Sequence, residues 1–82
     1  MSKFEKLIEK IYYLPNDIRF DEIKKVLKYY GYTLSSKKGS HFIFRKDGEN
    51  PITIPVHGKA GIKKFYVEEV KKIIEKENEK NE

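Results

Sequence analysis

The stretch that decides the fold spans residues 32–57 and reads YTLSSKKGSHFIFRKDGENPITIPVH. Apolar and polar residues alternate along much of it, and this period of two is typical of β-strands. A glycine follows a pair of lysines, and an Asp-Gly pair farther on favours a hairpin turn. We therefore predict three strands, at residues 32–36, 40–46 and 51–57, with turns at residues 37–39 and at Asp47-Gly48.

The middle predicted strand carries apolar side chains on both of its faces. One face holds two aromatic residues and the other holds a mixed set: Phe42 and Phe44 against His41, Ile43 and Arg45. The alternation alone leaves open which face meets the core. The third predicted strand contains Pro55, which has no N–H for a ladder hydrogen bond, so we expect that strand at a sheet edge.

Amphipathic helices are predicted on both sides of these strands. The first begins at Ser2, which forms a capping-box pattern with Glu5, and it ends before Pro15. The second covers about residues 18–30, with Asp17 as the candidate N-cap and Gly31 as the residue that stops the helix.

A third helix is predicted over about residues 65–78, and the charged residues after it favour a frayed end. The predicted order is therefore α-α-β-β-β-α. Three antiparallel strands with helices over one face form an α+β fold, and the other face of the sheet stays open to a ligand or a partner.

Composition narrows the function. The chain has 82 residues and no cysteine, which excludes disulfides, thiolate chemistry and the usual zinc sites. We see neither a signal peptide nor a membrane-spanning segment, and we expect a cytoplasmic protein with no membrane partner. The net charge is +5, and residues 35–66 carry seven basic and only two acidic side chains. This concentration of positive charge favours a polyanionic partner such as a nucleic acid, although a lysine-rich soluble surface gives the same pattern.

The Gly39-Ser40-His41 segment lies in that basic region. Histidine has an unperturbed pKa of about 6.5, so it exchanges protons near neutrality. Cations around it are suited to hold a phosphate, the glycine lets a backbone approach closely, and the serine adds a donor. The alternative is a strand-end histidine that only caps the turn. His57, the second histidine, is a candidate proton donor, a phosphate contact or a structural residue.

The segments Gly39-Ser40-His41-Phe42-Ile43-Phe44 and Ile54-Pro55-Val56-His57-Gly58, set within a helix, three strands and a helix, resemble the HicA family of toxins, also described as YcfA-like. The resemblance covers about residues 20–74. It implies a fold like that of the double-stranded-RNA-binding domain, cleavage of messenger RNA by a histidine that corresponds to His41, and a HicB antitoxin that silences the toxin. The first helix lies outside the shared region. We therefore predict an extra helix packed on the domain at residues 1–14, an RNA-cleaving domain at 15–78 and a frayed tail at 79–82.

The leading hypothesis is a metal-independent endoribonuclease, the toxin of a toxin–antitoxin pair, with His41 as the catalytic acid or base. RNA supplies its own nucleophile, the 2′-hydroxyl, so we expect no metal and no cofactor. The candidate RNA-binding residues are Lys37, Lys38, Gly39, Ser40, Arg45, Lys46, His57 and Lys59. Two alternatives stay open: a non-catalytic RNA-binding module of the same fold, and an interaction protein whose open sheet face docks a partner.

Overall fold

The computed structural model describes residues 2–56 and 61–80. In chain order these residues form α1 (Lys3–Tyr13), a short 3₁₀ turn (Pro15–Asp17), α2 (Phe20–Tyr29), β1 (Thr33–Lys38), β2 (His41–Arg45), β3 (Ile52–Pro55) and α3 (Lys64–Lys80). The predicted α-α-β-β-β-α order and α+β class are confirmed. No helix within the described ranges is long and apolar enough to cross a membrane.

Helix α1 begins and ends where its sequence predicts. The Glu5 backbone N–H donates to the Ser2 hydroxyl at 3.1 Å, which satisfies one of the N–H groups that a helix start leaves unpaired. Tyr13 is the last helical residue, and Pro15 opens the 3₁₀ turn that follows. Ile11 is fully buried, and α1 contacts both α2 and α3, so α1 contributes a side chain to the common core.

Helix α2 starts later than the sequence predicts. Asp17 ends the 3₁₀ turn and Arg19 takes the N-cap position, so the candidate Asp17 does not cap the helix. The Arg19 backbone N–H instead donates to the Glu22 carboxylate at 2.9 Å. At the other end Gly31 has a φ of +94°, and this left-handed conformation stops the helix as predicted.

The three strands form one antiparallel sheet in the order β1-β2-β3. A β-bulge between Leu34 and Ser36 adds one residue to β1, and the strand then continues through Lys37 and Lys38. The prediction of a turn at residues 37–39 was therefore wrong, because both lysines pair within the sheet and the turn consists of residues 39–40. Strand β3 is an edge strand, as Pro55 predicted.

The core lies between the sheet and the three helices. Its fully or almost fully buried members are Ile11, Ile18, Ile23, Val26, Leu27, Tyr32, Phe44, Ile54, Ile62, Val67, Val70 and Ile74. Phe44 therefore faces the helices, and Phe42 does the same, since its ring lies 4.4 Å from the ring of Phe20 in α2. The open question about β2 is thereby answered: His41, Ile43 and Arg45 lie on the face turned away from the helical layer.

Candidate active site

Strand register brings His41 to the middle of a row of three residues across the sheet. His41 is the first residue of the central strand, and it pairs with Lys38 of β1 on one side and with Pro55 of β3 on the other. Directly paired residues have Cβ atoms about 4.5–5.5 Å apart and side chains on the same face. The imidazole and the Lys38 ammonium therefore project from one place on the open face, and both side chains are exposed.

The turn before His41 has a backbone that a ligand can approach closely. Gly39 has a φ of +60°, and a Cβ built there would meet no atom within 4 Å, so the turn projects into open space. A two-residue turn with positive φ at its first position is typical of type II′ hairpins, which favour glycine there. The Ser40 carbonyl accepts the Val56 N–H at 2.8 Å and thereby ties this turn to the end of β3.

Two further rows extend the open face away from His41. Ile43 pairs with Ser36 and Thr53, and Arg45 pairs with Thr33. Four residues of strand separate Arg45 from His41, which corresponds to roughly 13 Å. Sequence reasoning did not single out the hydroxyls that flank Ile43. The alternation in β3 could have indicated Thr53, but the bulge conceals the position of Ser36.

Two of the predicted RNA-binding lysines are engaged with the other face of the sheet. Lys37 pairs with Phe42, and its ammonium lies 5.1 Å from the centre of that ring. Lys46 forms an ion pair with Glu77 of α3 at 2.7 Å, and its ammonium lies 5.7 Å from the Tyr32 ring. The structure therefore brings Lys38, Gly39, Ser40 and Arg45 to the His41 side and does not bring Lys37 and Lys46 there.

Burial raises the pKa of the Tyr32 phenol above its ordinary value of 10.0; nearby Glu49 adds to this and Lys46 opposes it. Tyr32 therefore belongs to the side of the sheet that packs against the helices.

The predictions for His57 and Lys59 fall outside the described residues.

A comparison with protein families identifies the chain. Residues 20–76, well over half of the sequence, match the family described as the HicA toxin of bacterial toxin-antitoxin. The chain belongs to the HicA toxin family. The family resemblance noted in the sequence is therefore confirmed, and membership implies an antitoxin partner within a toxin–antitoxin system. The comparison with curated proteins and the comparison with solved structures each found no match.

The HicA family match includes the whole sheet and the His41 row, whereas α1 lies before it. The strands of this HicA domain carry Lys38 and Arg45 on the open face and no acidic residue. Among residues 2–56 and 61–80, Lys38, His41 and Arg45 make no ion pair, so both cations are available to an anionic ligand. The same residues contain no group of three or more His, Asp or Glu side chains that could hold a metal ion.

Proposed function

We propose that this HicA-family toxin is an endoribonuclease that cleaves messenger RNA without a metal, with His41 as its general acid or base. The observation that carries the proposal is the row formed by Lys38 and His41, which places an exposed imidazole beside an available ammonium at the end of the central strand. We further propose that the antitoxin is of the HicB type, as the family resemblance implies.

The reaction needs only proton transfers and charge stabilisation. The 2′-oxygen attacks the adjacent phosphorus while neutral His41 takes the hydroxyl proton, and the bond from phosphorus to the 5′-oxygen breaks. The leaving oxygen takes a proton from water or from the imidazolium that has just formed. The products are a 2′,3′-cyclic phosphate and a free 5′-hydroxyl. The chain's contribution is to hold a base near the 2′-hydroxyl and donors near the phosphate.

The described cations have different parts in this proposal. Lys38 is close enough to the imidazole to share one phosphate with it, so it stabilises the negative charge that grows on the phosphoryl oxygens. Arg45, about four strand residues away, binds a neighbouring phosphate and aligns the RNA along β2. Ile43 lies between them and offers an apolar surface to a base. Gly39 has no side chain to block the approach of a phosphate to the turn, and Ser40 adds a hydroxyl donor.

The decisive experiment compares cleavage of a messenger RNA by the wild-type protein and by His41→Ala, with EDTA in every reaction. General acid–base catalysis contributes about 10²- to 10⁴-fold, so the rate should fall by that factor while RNA affinity changes little. Circular dichroism should show that the variant is folded. Lys24→Ala is the matched control because Lys24 is an exposed residue of α2, in the helical layer.

Three results would contradict the proposal in distinguishable ways. Undiminished cleavage by His41→Ala would exclude this histidine. RNA binding without any shortening of the RNA by wild type would favour the non-catalytic RNA-binding module. Cleavage of an RNA whose scissile 2′-hydroxyl has been replaced by hydrogen would exclude the internal nucleophile.

A further inference from the structure

A groove of about 500 Å³ runs between α1 and α2, and it contains none of the predicted site residues. Its lining residues are Lys3, Phe4, Lys6, Leu7, Lys10, Glu22 and Lys25. Phe4 and Leu7 are only half-buried, so the floor of the groove is apolar and partly open to solvent. The α1 residues that line it run from Lys3 to Lys10, which gives this wall of the groove a length of about 11 Å.

The rim of the groove is cationic. Lys10 is neutralised by Glu22, with its ammonium 2.8 Å from the carboxylate. Lys3, Lys6 and Lys25 make no ion pair among the described residues, and no other acidic side chain lines the groove. Three uncompensated lysines therefore surround an apolar floor.

Contacts between α1 and α2 hold the groove in shape. The Glu22 carboxylate of α2 accepts from the Lys10 ammonium of α1 and thereby joins the two walls. The same carboxylate also accepts from the Arg19 backbone N–H at the start of its own helix. Phe4 is held at the floor by the ring of Tyr29, whose centroid lies 3.8 Å away. A ligand would therefore lose little free energy in ordering the groove, which is the condition for a preorganised binding site.

The chemistry of the groove favours one kind of occupant. An amphipathic helix places apolar anchors at i, i+3 or i+4, and i+7 into a groove of this type, and acidic side chains beside those anchors would meet the rim lysines. RNA phosphates would bind the rim lysines but would make no favourable contact with the apolar floor. A second copy of this chain would have to bring an acidic and apolar helix face, and α3 already uses Val67, Val70 and Ile74 in its own core.

We infer that the α1–α2 groove is a docking site for an acidic amphipathic segment of the antitoxin. The inference uses the family assignment for the existence of an antitoxin, and it does not depend on RNA cleavage by His41. Five of its seven lining residues come from α1, which lies outside the residues that match the family. The groove therefore gives this toxin a means of partner selection that the matched domain alone does not contain. It also lies on the helical layer, away from the open face that carries His41.

The test uses a synthetic helical peptide of about 18 residues, with leucine at every third or fourth position and glutamate elsewhere. Binding is measured by fluorescence anisotropy, and the contact surface is mapped by NMR on His41→Ala protein, so cleavage plays no part in the readout. We expect signals of Leu7 and Lys25 to shift on titration. Two peptides serve as references: one with lysine in place of glutamate, and one with serine in place of leucine. Both should bind at least about tenfold more weakly.

Charge reversal on the protein separates the groove from general electrostatics. Lys6→Glu combined with Lys25→Glu should weaken the leucine–glutamate peptide about tenfold, since two surface attractions become repulsions. Lys64→Glu combined with Lys72→Glu makes the same change in net charge on α3 and should alter binding by less than about twofold. Thermal unfolding of both double variants verifies that each is folded.

Four results would overturn the inference. Equal weakening by the two double variants would mean that net charge alone attracts the peptide. Tight binding of the leucine–lysine peptide would mean that the rim does not select for acid. An oligouridylate that shifts the same groove signals at lower concentration than the peptide would assign the groove to RNA. Groove signals that change with protein concentration alone would assign it to a second copy of the chain.

Discussion

Replacing Ile11 with alanine tests whether α1 is an integral part of the fold. Ile11 is the one residue of α1 that is fully buried, and its side chain lies in the core shared by the sheet and the other two helices. If α1 were only an appendage, truncating this side chain would leave the stability of the rest of the domain unchanged. If the core is continuous, the whole domain should lose stability.

The magnitude follows from what is removed. Three carbon atoms leave a fully buried site, each worth about 0.8 kcal/mol of transfer free energy, and the remaining cavity adds to the cost. The free energy of unfolding should fall by about 2.5–4 kcal/mol. A domain of 82 residues has a total of only about 4–12 kcal/mol. The variant should therefore lose a large fraction of its stability.

The assay is equilibrium unfolding in urea, followed by far-UV circular dichroism. With a slope of about 1 kcal/mol per M, the midpoint for Ile11→Ala should fall by about 2.5 M or more. Tyr13→Ala is the matched control in the same helix, because the Tyr13 side chain is 79% exposed, and it should change the free energy by less than about 0.5 kcal/mol. A shift equal to that of the control, or a separate early transition for α1, would refute a continuous core.

Three further predictions concern charge and backbone. Burial alone would raise the pKa of the Glu22 carboxyl, but hydrogen bonds from Lys10 and from a backbone N–H hold it below its ordinary value of 4.5. Ionised Glu22 therefore stabilises the fold above that pH, and this contribution is lost as the pH falls through the lowered pKa. Urea midpoints of wild type and Glu22→Gln should differ at pH 7 and converge as the pH falls well below 4.5. Gly31→Ala should cost about 1–2 kcal/mol in the same assay, because alanine is strained at a φ of +94°. Lys38→Gln and Arg45→Gln should each reduce the slope of log affinity against log salt for single-stranded RNA by about 0.7, and an unchanged slope would exclude contact with phosphate.

The sequence predicted the parts of the fold that depend on local periodicity. The order of elements, the edge position of β3 and the C-terminal stop of α2 followed from alternation, from Pro55 and from Gly31. The start of α2 was misplaced because a 3₁₀ turn precedes the helix. Its N-cap is Arg19, whose backbone N–H donates to Glu22, and an arginine at this position is not a residue that typically signals a helix start. The contribution of Ile11 to the common core also depends on tertiary packing.

The sequence predicted that His41 and Arg45 share one face of the sheet, but it did not predict which of the nearby lysines lie on that face. The Gly-Ser turn and the strand phase correctly placed His41 and Arg45 on one face. Sequence proximity, however, treated Lys37, Lys38 and Lys46 alike as neighbours of the histidine. Strand phase alone could have assigned Lys46 to the helical side, where it meets Glu77. The two adjacent lysines could not be separated in this way, because their faces depend on the bulge in β1.

That bulge also determines which lysine lies beside His41. If β1 and β2 paired regularly from Leu34 onward, Lys37 would lie opposite His41 and Lys38 would fall in the turn. The single extra residue near Ser35 exchanges these roles. Both candidates are lysines, so the pairing register of the backbone alone determines which of them lies beside the imidazole. Two proteins with identical residues at positions 36–41 would thus place different lysines beside the histidine because of one insertion or deletion upstream. A motif search limited to Gly-Ser-His would not distinguish them.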